Sequence, residues 1–132
     1  MADENHITNK NPHFKHISRA PYELGRLLQE IGEINAFGKP KVTAEASQKI
    51  QAAIQHAENA NVAVLSGLEA LGECLFKASE NLHFTLDYDV VGDIGCLIQH
   101  LAVEAQFLQE TEANLNCFLK HAEVIQEEVH HG

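Results

Sequence analysis

From residue 43 to residue 82 the apolar side chains return at alternating steps of four and three, and this spacing limits most sharply what the chain can fold into. Ile50, Ile54, Ala57, Asn61, Val64, Leu68, Leu71, Leu75, Ala78 and Leu82 fall on one seam, the period by which one helix lies along another. The same spacing recurs over residues 89–130, through Ile94, Leu97, Leu101, Glu104, Leu108, Thr111, Leu115, Phe118, Ala122, Ile125 and Val129. Between the two runs lies NLHFTLDY, residues 81–88, which has no helical period and offers Asp87 or Asp89 as a helix cap. Two long helices of matched length joined by a short turn predict an antiparallel hairpin.

A shorter helix precedes them. Ser18 can cap it, Pro21 suits a first turn, and Leu24, Leu27, Leu28, Ile31 and Ile34 form one apolar stripe, so a helix is expected over residues 20–37. Gly38 and Pro40 read as its stop, and Thr43 as the cap of the next helix, with Glu45 in its first turn. Residues 1–17 are polar, interrupted by Pro12 and aperiodic. They read as a flexible arm, with Phe14 and Ile17 as its anchors, ahead of a single helical-bundle domain over residues 18–132. The expected fold class is therefore all-α: a three-helix bundle made of a long antiparallel hairpin and a shorter N-terminal helix, with no sheet.

Composition enters where the core must be filled. Apolar residues make up 45% of the chain, but aromatics only 6% with no Trp, so the core is built from Leu, Ile, Val and Ala, which helices pack well. The formal charge is −10, unevenly spread: seven bases face six acids in residues 1–49, whereas residues 78–132 hold ten acids and Lys120 alone. Asp87, Asp89, Asp93, Glu104, Glu110, Glu112, Glu123, Glu127 and Glu128 form a long acidic array. Such a surface repels a phosphate backbone, so direct nucleic-acid binding is disfavoured and a basic protein is the natural charged partner. Excess carboxylate also simply keeps a protein dissolved.

Cys74, Cys96 and Cys117 are widely spaced, with no CxxC pair, and read as small buried apolar residues rather than a disulfide framework. No apolar run reaches the roughly 18 residues of a membrane span, and no charged-then-apolar leader is seen, so the expected location is the cytoplasm, away from membranes.

Chemistry is sparse. Di-iron bundles use Glu-x-x-His pairs facing inward. The matches here are Glu127 to His130 and Glu128 to His131 at the C-terminal end, and His100 with Glu104 could share one helix face. Each cysteine sits in an apolar, acidic context that disfavours a thiolate, and neither a phosphate loop nor a nucleophile elbow is present. No catalytic residue, metal ligand or cofactor is assigned, and a non-enzymatic protein is expected.

The helix lengths point to association. A short first helix covers only the first half of the second helix, leaving residues 62–76 bare although they are apolar on more than one side. Val64, Leu65, Gly67, Leu68, Leu71, Gly72, Leu75, Leu97 and Leu101 are the candidate interface, through which two hairpins would complete a four-helix bundle core as a homodimer. Gly67 and Gly72 would permit close backbone approach there, or mark a kink, and Asn61 could fix register as a polar seam residue. The expected function is protein–protein interaction, by self-association or with a basic partner. The alternatives are an acidic inhibitor imitating nucleic acid and a metal-binding bundle.

Overall fold

The computed structural model describes residues 11–32 and 40–126. The fold is all-α in class, with one short and two long packed helices. A 3-10 turn, Ile17–Arg19, leads into α1, Ala20–Ile31. A three-residue strand β1, Lys41–Thr43, leads into α2, Ala44–Glu80, and α3, Tyr88–His121, is followed by β2, Glu123–Ile125.

The caps explain where the helices begin and end. Thr43 holds an extended backbone and its side chain accepts the Ala46 N–H at 3.1 Å, satisfying a donor that the first turn of α2 leaves unpaired. Asp87 takes the N-cap position of α3 without a side-chain cap bond, and Asp89 lies in the first turn, where negative charge suits the helix dipole. Ser18 does not cap α1: it falls inside the 3-10 turn, Arg19 takes the N-cap position, and Pro21 sits in the first helical turn as expected. α1 stops six residues short of the expected end, at Ile31, because Gly32 takes a left-handed φ of 72° that an L side chain rarely adopts. Ile34 and Gly38 lie outside the described residues.

The expectation of no sheet is overturned. β1 and β2 pair in parallel, with Lys41 opposite Glu123, Val42 opposite Val124 and Thr43 opposite Ile125. Parallel strands need a long crossover, and here the whole α2–α3 hairpin supplies it. The pairing also ends α3 at His121 rather than at residue 130: Ala122 turns extended, and the Glu123 N–H donates to the Pro40 carbonyl at 2.8 Å. β-Branched Val42, Thr43, Val124 and Ile125 suit that exchange of helix for strand.

The core lies at one end of the molecule. α1 runs antiparallel to the start of α2, with Lys49 Nζ reaching Glu30 at 3.4 Å. Leu24 and Leu27 of α1, Ile50, Ala53, Ala57 and Ala60 of α2, and Leu108 and Leu115 of α3 are buried together, with Val42 beside them. Each large side chain so buried contributes about 1.5–3 kcal/mol. The alanines on α2 let α1 and α3 lie close on either side of it, so the aliphatic composition is used as expected. The cysteines are not. Cys74, Cys96 and Cys117 are all exposed, because none of them faces this end of the hairpin's core.

Candidate protein-interaction surface

Beyond Ala60 on α2 no residue is buried, and on α3 none is buried before Ala105. This distal half of the hairpin is two helices touching along one seam. Val64, Leu68, Leu71 and Leu75 of α2 face it half-buried, as do Ile94, Ile98 and Leu101 of α3. On α2 those positions are the expected seam, whereas on α3 Ile98 takes the place expected of Leu97, and the hairpin itself uses them.

A second stripe on α2 has no counterpart among the described residues. Val62, Leu65, Gly72 and Phe76, with Glu69 between them, again follow steps of three and four, and the large apolar members are exposed, Phe76 by 66%. On α3 the apolar side chains are not confined to one face. Leu97 is exposed beside the seam, Val91 lies on another side, and Val103 and Phe107 point away from α2. A helix that is apolar all round is ordinarily covered on several sides. At the turn, Leu82 and Tyr88 are exposed by 94% and 96%.

Of the candidate interface residues, Leu65, Gly67, Gly72 and Leu97 are therefore open, whereas Val64, Leu68, Leu71, Leu75 and Leu101 are shared with the hairpin seam. A Cβ built at Gly67, Gly72, Gly92 or Gly95 would meet nothing within 4 Å, so among the described residues no backbone packs closely on them. Asn61 is half-buried at the border between the two halves, and its side-chain oxygen is buried without a hydrogen-bond partner.

The acidic residues do not line a single face. Asp87, Asp89, Asp93, Glu110 and Glu123 are exposed, Glu104 and Glu112 turn half-buried toward the seam, and Glu127 and Glu128 lie outside the described residues. Glu110 accepts from Gln106 Nε2 at 2.9 Å, and the ion pairs among the described residues lie on α1 and α2.

Potential chemistry is equally spread out. Among the described residues no three His, Cys, Asp or Glu side chains converge as metal ligands, and the Glu127 to His130 spacing lies outside them. Cys117 Sγ lies 3.8 Å from His121 Nδ1, but that nitrogen is also 2.8 Å from the Cys117 carbonyl. A proton on Nδ1 given to that carbonyl leaves the nitrogen unable to take one from the thiol.

At the core end, a shallow cleft of about 200 Å³ is lined by Pro12, His13, Lys15, His16, Glu23 and Arg26. Glu23 is buried, and its carboxylate accepts from Arg26 at 3.0 Å. That hydrogen bond, outweighing the opposing effect of burial, holds its pKa below the ordinary carboxylate value. At Glu30 burial again opposes ionisation, and the hydrogen bonds and charges of Arg26 and Lys49 overcome it, so its pKa is also lowered. Beneath lies His56, fully covered, whose ring stands 4.7 Å from that of Phe14. Sequence reasoning did not single out His56, although its place within the alanine-rich buried face of α2 was the available signal.

Comparison with known proteins matches this chain to no family model, no curated protein and no solved structure.

Proposed function

We propose that this chain works as a non-catalytic interaction protein, and that the distal half of its hairpin is the working surface, paired with the same surface of a second copy. The observation that carries this reading is the second apolar stripe, Val62, Leu65 and Phe76, facing solvent beside an α3 whose apolar side chains, Val91, Leu97, Val103 and Phe107 among them, are exposed on more than one side. Exposed contiguous apolar surface beyond a few hundred Å² is rare on a monomer. A two-fold axis across the distal halves would bring four helices together and bury both sides of each ribbon. The unobstructed glycines 67, 72, 92 and 95 would admit a neighbouring helix at short range.

Sedimentation equilibrium at micromolar concentration tests it. The expected mass is about twice 14.6 kDa, and a mass of 14.6 kDa refutes self-association. Leu65→Glu and Leu97→Glu alter exposed positions outside the core, so each should yield a monomer with unchanged far-UV circular dichroism. A dimer that survives both substitutions places the interface elsewhere.

A further inference from the structure

His56 sits in an unusual position for an ionisable side chain. It is fully covered, and neither ring nitrogen has a hydrogen-bond partner. Part of the cover comes from one short segment. Phe14 lies against the imidazole with its ring tilted by 42°, and the Lys15 backbone approaches without hydrogen-bonding geometry. The segment folds on itself, the Asn11 side chain accepting the His13 N–H and the Asn11 carbonyl accepting the Phe14 N–H. It is fastened to α2 by Asn11 Nδ2, which donates to the Gln48 carbonyl at 2.8 Å, and by Phe14 packing on the core.

We propose that residues 11–16 are an acid-released strap: when His56 takes up a proton, the segment lifts from α2, baring Phe14 and the face it covers. A neutral imidazole leaves one N–H and one lone pair unpaired in this site, a smaller penalty than burying a charge there. An imidazolium carries two N–H donors and a charge, and the site offers neither N–H a partner. Water can reach the ring once the strap is off.

The surrounding charges fit this direction. From α1, Glu23 favours the proton while Arg26 opposes it, and Arg26 already holds the Glu23 carboxylate. From the strap itself, His16 opposes it. The α3 side chains packed into the same core, Leu108, Leu115, Phe118 and Leu119, carry no charge. Burial outweighs both Glu23 and the nearby Lys15 backbone, which favour the proton, so His56 gives it up more readily here than in the open chain. The sign follows: closure is complete above the ordinary histidine pKa of about 6.5 and is lost as pH falls below it.

Hydrogen exchange on the intact chain at about pH 7.5 and about pH 5.5, corrected for intrinsic rates, tests the strap on either side of the histidine range. The amides to follow are Phe14 and Arg19, which donate to the Asn11 and His16 carbonyls, against those of α2 from residue 44 to residue 60. Protection of the first pair should fall roughly tenfold over this interval while the second set keeps its protection, since one pH unit is a tenfold change in proton binding. His56→Leu should hold the strap closed at both pH values. Phe14→Ala should open it at both, and should return the His56 ring titration, followed by NMR, to the ordinary histidine value. Strap protection independent of pH overturns the proposal, as does equal acid loss in His56→Leu or simultaneous loss along α2. The unaltered chain gives a further check: a His56 ring that titrates at or above the ordinary value with the strap closed refutes it.

Discussion

Single residues set the ends of the helices and the acid limit of the fold. The Thr43 hydroxyl closes the first turn of α2 on the Ala46 amide, and α2 supplies more of the core than any other element, so the cap matters to the whole domain. Thr43→Ala should lower stability by about 1 kcal/mol, read as a shift of the urea midpoint with an unchanged slope. Glu23 and Glu30 both ionise more readily folded than unfolded, because Arg26 lies between them. A carboxylate depressed in this way binds fewer protons folded than unfolded, so its stabilisation is present above the ordinary carboxylate range and lost as pH falls through its folded value. Urea unfolding near pH 3 should show that loss, and Arg26→Gln should flatten the acid limb. Thr43 was legible because a hydroxyl stood just before a periodic run. His56 was not, because a helical period says which face is buried but not that Phe14 closes over that face.

The elements divide according to how much sequence each needs to reveal itself. α2 and α3 were legible because heptad spacing repeats many times along each, and the structure starts and ends α2 within a residue of the expected 43–81. α1 was overextended because Gly38 and Pro40 drew the stop, while Gly32, with its left-handed backbone, made it earlier. β1 and β2 left no readable signal: three residues are too few to show a period of two, and the whole hairpin separates the two partners in sequence. The same shortness makes the sheet easy to break selectively. Glu123→Pro removes the donor to the Pro40 carbonyl and should cost about 1–3 kcal/mol. Hydrogen exchange should show lost protection over residues 41–43 while the helical circular dichroism stays constant.

As a whole, the molecule exposes more surface than its mass warrants. Its accessible area is 10442 Å², where a compact monomer of 14.6 kDa would present about 6,900 Å². Part of that excess is the bare half of the hairpin. The apolar breadth of residues 62–76 was visible in the sequence, but the division of labour within it was not. Leu68 and Leu71 serve the hairpin seam, while Leu65 and Phe76 stand exposed. That division depends on how the two helices are rotated about each other, which one chain's spacing leaves open.

The parallel pairing of β1 with β2 also orders events in time. A chain made from its N-terminus presents α1 and α2 first, when Leu108 and Leu115, which complete their core, have yet to be synthesised. β2 comes later still, and its pairing closes a loop containing both long helices, an entropic cost that grows with loop length. The clasp can therefore engage only after both long helices and β2 have left the ribosome, so its closure comes last among the contacts of this fold.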